Sequence, residues 1–261
     1  GGIYMKLNNC IISLFFVLVS AIANSEENCI NPKNYARSTV AITRYFEKGS
    51  ASGTAWFYKD KKTLITAGHV AQILASNGEW TTVELQQRET HGFLVTKMRA
   101  RIKKMGNIAS ATYFEIAALE KYAREDLAFI ELEHPYHEAL PLDISRERAP
   151  DYSLLWAIAY PLGKLVYARS RTLPPGIEVE YEKDYPSMIH VEAIDNRQAL
   201  LEGSSGGPAL NCAGKVSAII NMALGETYVS SKGKIVRRAT KGTATNYGLP
   251  EAFVEELEAR K

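Results

Sequence analysis

Two adjacent serines in the segment 203–208, GSSGGP, are the first residues in this chain whose setting suggests chemistry. A serine hydroxyl is a weak nucleophile at neutral pH, so it needs a base to take its proton and an acid to orient that base. The three glycines and the proline around Ser204 and Ser205 allow two interpretations. One is a flexible turn between strands, and the other is a fixed backbone cradle that presents a nucleophile.

His69 has the setting that a base for such a serine needs. It follows the apolar run 62–66 and two small residues, which leave room for an imidazole to face a cleft. Asp126 stands at the start of the apolar run 127–132, where a carboxylate is costly to bury unless it meets a partner such as an imidazole N–H. These residue types predict a base and its orienting acid.

The other histidines give weaker signals. His134 and His137 suggest a metal pair, but no acidic or thiol cluster accompanies them, and Pro135 between them disfavours a helix. We therefore predict a loop there, no metal site and no cofactor.

The elements that must position these residues are mainly strands. Short runs with alternating or fully apolar patterning lie at 38–43, 53–58, 62–66, 81–85, 93–96, 127–132, 154–159, 187–192 and 216–220. Residues 97–104 are basic and predicted to be exposed, and 230–234 predict a hairpin tip. Helical spacing occurs only after His69 and at 251–258, where Pro250 precedes Phe253, Val254 and Leu257 on one face. The chain is predicted to be all-β with a short C-terminal helix.

The N-terminus predicts a secretory signal peptide. Residues 1–4 precede a plausible start at Met5, and Lys6, the apolar run 10–19 and the small residues 20–23 follow it, so we expect cleavage after Ala23. An uncleaved membrane anchor is the alternative, but the apolar run is shorter than the roughly 20 residues that span a bilayer. We expect an exported protein, secreted or periplasmic, with no stable membrane anchor after cleavage.

The composition of the chain limits its possible partners, and its cysteines allow at most one disulfide after the signal is cleaved. Apolar residues make up 46% of the chain, charged residues 23%, and the formal net charge is +2, which is too weak to indicate nucleic acid or an anionic membrane as partner. Once Cys10 leaves with the signal, Cys29 and Cys212 remain. In an exported protein they form one bridge or stay as two thiols, and we favour the bridge.

Three motifs in chain order resemble the trypsin-like serine proteases of the chymotrypsin superfamily. They are Ile65-Thr66-Ala67-Gly68-His69, Asp126-Leu127-Ala128 and Gly203-x-Ser205-Gly206-Gly207-Pro208. Residues 52–56 resemble the strand that leads to the histidine, and residues 157–163 and 245–250 resemble strands of bacterial HtrA-like members. The resemblance covers roughly residues 38 to 255. It implies two packed six-stranded antiparallel β-barrels, at 38–147 with His69 and Asp126 and at 148–261 with Ser205 and the terminal helix, after an N-terminal segment at 24–37. We expect that helix to lie on the last barrel.

The resemblance also implies the role of each residue. Ser205 would attack the peptide carbonyl, His69 would take its proton, and Asp126 would orient His69. The backbone N–H groups of Gly203 and Ser205 would form the oxyanion hole, and Ser204 would be a spacer. The implied activity is that of an endopeptidase acting on proteins or peptides. An exported binding protein that keeps the fold without turnover, and an esterase, are the alternatives.

The chain departs from its relatives at several positions. Animal trypsins carry an aspartate before the nucleophile to receive a new N-terminus, and Ser204 stands there instead, so we expect activity without that activation step. We also expect no PDZ-driven assembly, since no PDZ domain follows before Lys261. Four residues are expected at the substrate pocket and predict a small or aliphatic residue before the cut bond, with Asn221 a candidate hydrogen-bond partner of Asp126: Ala199, Asn221, Met222 and Ala223.

Overall fold

The computed structural model describes residues 29–260 except for the segments 75–77, 90–91, 109–124, 174–187, 196–202, 230–234 and 248–250. The predicted signal peptide, Ala199, the predicted hairpin tip and Pro250 lie outside the described residues. No helix in the described part of the chain is long and apolar enough to cross a membrane.

The first sheet is a closed antiparallel barrel of six strands. They are β1 (Thr39–Phe46), β2 (Gly49–Phe57), β3 (Thr63–Thr66), β4 (Thr81–Glu89), β5 (Gly92–Met105) and β6 (Ala128–Leu132). The strand order is β1-β2-β3-β6-β5-β4, and pairing of β4 with β1 closes the ring. Large apolar side chains from alternate strand positions fill its interior, among them Ile42, Trp56, Leu64 and Leu85, all without solvent exposure.

The second sheet contains the other strands of the described residues. They are β7 (Leu154–Ala159), β8 (Val166–Leu173), β9 (Met188–Ala193), β10 (Pro208–Leu210), β11 (Val216–Val229) and β12 (Ile235–Tyr247). All neighbours are antiparallel in the order β10-β11-β12-β9-β8-β7, and β10 also pairs with β7. The predicted all-β, chymotrypsin-like architecture is confirmed.

The strand β5 corrects one expectation from the sequence. Residues 97–104 were expected to be an exposed basic stretch, but β5 runs through them to Met105. Ala100 and Ile102 point into the first barrel and are buried, while the basic side chains alternate with them toward solvent. The two buried side chains fix the register of this strand, because a shift by one residue would turn them to the hydrated face and bring basic side chains into the barrel.

The C-terminal helix is present but lies on a different barrel from the one expected. A single-turn helix α1 (Gly68–Ala71) follows β3, and helix α2 (Glu251–Ala259) is near the end of the chain. The side chains of Val254 and Leu257 join the apolar core that contains the first barrel, and α2 contacts β5. Lys104 of β5 donates to the carbonyls of Glu258 and Arg260, so a cation meets the helix C-terminus. The expectation that this helix lies on the last barrel is therefore wrong.

The predicted disulfide is confirmed. Cys29 and Cys212 are bonded, and 183 residues of chain separate them. The bond ties the N-terminal segment to the turn that follows β10. In the same turn, a Cβ at Gly214 would meet the ring of Tyr35, so the N-terminal segment packs closely here.

Candidate active site

His69 projects from the single turn α1, directly after β3. Strand β3 ends at Thr66, and Ala67 and Gly68 lead into the turn, so the end of a buried strand fixes where the imidazole begins. The His69 side chain keeps 31% of its surface exposed. A Cβ at Gly68 would lie 3.2 Å from Oδ1 of Asp126, so the absence of a side chain there lets this turn approach the carboxylate closely.

Asp126 is held against His69 by three contacts. The carboxylate has no solvent exposure, the ring Nδ1 of His69 lies 2.9 Å from Oδ2 and 3.1 Å from Oδ1, and the His69 backbone N–H donates to Oδ1 at 2.8 Å. An ionised carboxylate only accepts, which assigns the ring hydrogen to Nδ1. The Nε2 atom is then left as an acceptor, the state that a general base requires.

Two glycines in the left-handed region bracket the adjacent serines. Gly203 has φ +89° and Gly206 has φ +88°, which glycine adopts without steric cost. The residue between Gly203 and Ser205, Ser204, is completely buried, whereas Ser205 is half-buried. The Ser205 hydroxyl donates to the backbone carbonyl of Asn221 at 3.5 Å, a long hydrogen bond. Only Ser205 of the pair therefore offers its hydroxyl to an incoming molecule.

The loop that carries Ser205 (the serine loop, residues 203–207) is hydrogen-bonded to β2 of the first barrel and to β11 of the second sheet. The backbone N–H of Thr54 donates to the Ser205 carbonyl at 2.9 Å, and the Gly206 N–H donates to the Ile220 carbonyl at 2.7 Å. A Cβ at Gly206 would lie 2.1 Å from both the Thr54 carbonyl and the Thr66 hydroxyl. Since Thr66 is three residues before His69, the serine loop and the histidine turn meet at the same strand end.

The hydrogen bonds of the described residues do not include one between the His69 ring and the Ser205 hydroxyl. The ring is paired with Asp126, and the hydroxyl with Asn221. Catalytic hydrogen bonds are often long or poorly aligned in ligand-free proteins and tighten when substrate binds. The participation of Ser205 with His69 and Asp126 stays a prediction.

The predicted oxyanion donors face no partner within the described part of the chain. Neither the Gly203 N–H nor the Ser205 N–H donates a hydrogen bond there, in contrast to the N–H groups of Gly206 and Gly207. A Cβ at Gly203 would lie 3.0 Å from the Leu162 nitrogen, so the turn after β7 packs directly against this peptide. The oxyanion role of Gly203 and Ser205 also stays a prediction.

The predicted substrate pocket is described only in part. Asn221 is 4% exposed, and its carbonyl accepts from Ser205. Met222 and Ala223 continue the same strand, β11, but their side chains, like the whole of Ala199, lie outside the described residues. The expected hydrogen bond between Asn221 and Asp126 stays a prediction.

His134 and His137 lie in the loop after β6, as expected. Their side chains are 78% and 94% exposed. Among the residues that the structure describes, no group of three or more histidine, cysteine and acidic side chains is arranged to hold a metal ion.

Sequence reasoning missed the role of Thr54 and Tyr160 at this site. The Thr54 hydroxyl donates to the Gly203 carbonyl at 2.8 Å and accepts from the Tyr160 N–H at 3.0 Å. The phenol of Tyr160 accepts from the Arg88 N–H at 3.1 Å and donates to the Thr39 carbonyl at 3.4 Å, and burial raises the pKa of Tyr160. No local sequence signal marks these contacts, because they join residues more than 70 positions apart.

This chain matches one protein-family model and is similar in fold to solved protein structures. The sequence matches the family model described as "Trypsin-like peptidase domain" over residues 53–219, more than half of the 261-residue chain. No curated protein matches it.

Three solved structures are similar to this one in fold. The Rv3671c protease from M. tuberculosis in its active form is 16% identical, with a TM-score of 0.52 over 88% of this chain and 84% of that chain. Deg5 is 16% identical, with a TM-score of 0.53 over 86% and 88%. The serine endoprotease from Yersinia pestis is 14% identical, with a TM-score of 0.54 over 87% and 64%. At such identities these likenesses show the fold alone.

Proposed function

Because this chain belongs to the trypsin-like peptidase domain family, we propose that it is a serine endopeptidase in which Ser205, His69 and Asp126 act together. One observation carries the proposal. The ring of His69 is held on the fully buried Asp126 carboxylate, and the loop of the half-buried Ser205 is bonded to Thr54 of β2 and lies against Thr66, at the end of the strand that leads to that histidine. We also infer that the second sheet forms a full barrel, so that the site lies at the seam between two barrels.

The chemistry follows the roles that this pairing permits. Ser205 Oγ forms a bond to the scissile carbonyl carbon while Nε2 of His69 takes the hydroxyl proton. Asp126 keeps the ring in the tautomer that accepts at Nε2 and stabilises the imidazolium. When the tetrahedral intermediate collapses, the C–N bond breaks and His69 gives the proton to the leaving amine. Water then repeats these steps on the acyl-enzyme and releases the acid.

The backbone around Gly203 and Ser205 would stabilise the charge that develops on the carbonyl oxygen. Both N–H groups are free of partners among the described residues, and the glycine conformations keep side chains out of the approach. One donor of this kind typically stabilises a transition state by about 3 kcal/mol.

The protein would not need trypsin-style activation by a new N-terminus. Such a terminus requires an aspartate before the nucleophile, and the residue there is the fully buried Ser204. A hydroxyl at this position forms no salt bridge with an ammonium group, so the loop must be held by other contacts. Its hydrogen bonds to Thr54 and Ile220 supply such contacts.

The proposed function also includes a compartment and a substrate preference. The Cys29–Cys212 disulfide supports an oxidising compartment, and residues 5–23 have the pattern of a signal peptide. We propose a secreted or periplasmic enzyme that prefers a small or aliphatic residue before the cut bond, on the basis of Ala199 and Met222.

Cleavage of a peptide library tests this function. The purified wild-type protein should cut peptides after small or aliphatic residues, and Ser205→Ala, a change that removes only the hydroxyl, should not cut them. Simple esters in parallel assays separate a peptidase from an esterase. A folded wild-type protein that binds peptides but never cuts them would contradict the proposal and favour a non-catalytic binding protein.

A further inference from the structure

Thr54 is a node of hydrogen bonds between the two sheets. It lies in β2 with no solvent exposure, and all of its polar groups are engaged. Its N–H donates to the Ser205 carbonyl at 2.9 Å, and its carbonyl accepts from the Thr66 hydroxyl at 2.6 Å. Its own hydroxyl donates to the Gly203 carbonyl at 2.8 Å and accepts from the Tyr160 N–H at 3.0 Å.

The hydroxyl contacts can be separated from the backbone contacts. Any residue other than proline at position 54 could keep the N–H to Ser205 and the carbonyl to Thr66, but it is the hydroxyl that joins Gly203 to Tyr160. A threonine hydroxyl has one hydrogen to give and lone pairs to accept with, so a single atom serves a carbonyl and an N–H at once. Both partners belong to the second sheet or its loops, while Thr54 belongs to the first barrel.

The Gly203 carbonyl is placed between the two peptide N–H groups that the proposed function assigns to the oxyanion hole. It belongs to the peptide between Gly203 and Ser204, which lies between the N–H of Gly203 and the N–H of Ser205. A glycine with φ +89° can rotate this peptide at little steric cost, because it has no Cβ to resist. The hydrogen bond from the Thr54 hydroxyl to this carbonyl therefore restrains the plane of the peptide.

We propose that Thr54 is a positioning residue whose hydroxyl fixes the Gly203 peptide, so that the Gly203 and Ser205 N–H groups converge on the oxyanion. This inference rests on the proposed function. Thr54 does not touch substrate, since it is fully buried. It acts through Gly203, and through Tyr160 it also holds the turn after β7, which packs on Gly203 at Leu162.

Thr54→Val keeps the shape of the side chain and removes both hydroxyl contacts. The half-buried Gly203 carbonyl and the buried Tyr160 N–H then lose their partner, and a rotation of the glycine peptide would let its carbonyl find another one. We expect kcat on the best peptide from the library to fall about 10- to 100-fold, the size of effect that a misplaced catalytic group produces. KM should stay within about threefold of wild type, since the ground-state contacts are unchanged.

Two variants make the comparison specific. Thr54→Ser retains the hydroxyl and should keep kcat within about threefold of wild type.

Thr172→Val is the matched control. Thr172 is also buried, and its hydroxyl also donates to a carbonyl (Pro150, 2.6 Å) and accepts from an N–H (Ser153, 2.8 Å). It lies in β8 of the second sheet, and among the described residues its hydroxyl has no hydrogen bond to the serine loop. This control should keep wild-type kcat. Thr54→Ala provides a second loss of the hydroxyl should the valine variant fail to fold.

The inhibition constant of a peptide aldehyde distinguishes a positioning role of Thr54 from a purely structural one. It adds to the serine and places an oxyanion in the hole, whereas the cleaved product peptide only occupies the ground-state subsites. For Thr54→Val, the inhibition constant of the aldehyde should rise by about the same factor as kcat falls, and that of the product should stay within about threefold.

The outcomes separate this inference from the proposed function. An active wild-type protein together with an equally active Thr54→Val, a loss confined to KM, or an equal loss in Thr172→Val would overturn the inference alone. Failure of Thr54→Ser to restore kcat would also overturn it. A folded wild-type protein without turnover would overturn the proposed function and, with it, this inference.

Discussion

The Asp126 carboxylate is buried against His69 and bonded to it twice. It has no solvent exposure, and it receives the ring N–H and the backbone N–H of the same residue, His69. This double contact fixes both the position of the histidine backbone and the tautomer of its ring. Removal of the charge should therefore change the chemistry of His69 more than its location.

Asp126→Asn tests this assignment at the residue scale. The amide keeps the volume of the side chain, but its NH₂ group can favour the wrong ring tautomer, which should lower kcat/KM about 10⁴-fold. Asp143 is an exposed aspartate in the segment between β6 and β7, and Asp143→Asn should leave kcat/KM unchanged. Steady-state kinetics and thermal unfolding measure both variants. Near-wild-type activity of a folded Asp126→Asn protein would exclude Asp126 from the mechanism.

The sequence predicted the residue types at the site but not the contacts that hold them. His69 and Asp126 stand at the ends of apolar strands, and that setting can be seen without a structure. Thr54 looks like any strand threonine, because its partners Gly203 and Tyr160 are 149 and 106 positions away. Local patterning carries no information about contacts of that range.

The loop before β10 depends on a glycine whose conformation and surroundings both exclude a side chain. Gly206 has φ +88°, and a Cβ there would lie 2.1 Å from the Thr54 carbonyl and the Thr66 hydroxyl. Gly206→Ala should push the serine loop off the first barrel and lower kcat/KM at least about 100-fold.

Gly49→Ala is the control for this loop. Gly49 also has a positive φ (+119°), but nothing lies within 4 Å of its Cβ position, so only backbone strain is added at the turn between β1 and β2. This variant should keep kcat/KM and lose a small amount of stability. Equal activity of the two alanine variants would contradict the account of the loop.

At the same scale, the sequence predicted most strands and missed the extent of β5. Its alternation is weak because the buried positions hold only Ala100 and Ile102, while the basic residues between them dominate the composition. The cross-strand pair of Arg101 with Glu131, at 2.6 Å, gives one of those basic residues a structural partner on β6. Such a partner cannot be read from the strand by itself.

The C-terminal helix joins the end of the chain to the first barrel. Val254 and Leu257 are buried in its core, and Arg260 forms an ion pair with Glu125 at 2.7 Å, directly before Asp126. The apolar face of the helix could be seen in the sequence, but not which barrel would cover it, because amphipathic spacing defines a face and not its partner.

Leu257→Ala tests this packing at the scale of the whole molecule. The truncation leaves a cavity in the core shared with the first barrel and should lower the free energy of unfolding by about 2–5 kcal/mol. Glu255→Ala, at an exposed position of the same helix, should change it by less than about 0.5 kcal/mol. Chemical denaturation measures both. Similar values for the two variants would mean that the helix does not stabilise the barrel.

The most direct test of the central claim is the site at which a fluorophosphonate reacts. These probes label only a serine that a neighbouring base activates, and mass spectrometry assigns the modified residue. We predict a single adduct at Ser205 in the wild-type protein, unchanged labelling in Ser204→Ala, and none in Ser205→Ala or His69→Ala. An adduct elsewhere, or no adduct on the folded wild-type protein, would contradict the claim that Ser205 is an activated nucleophile.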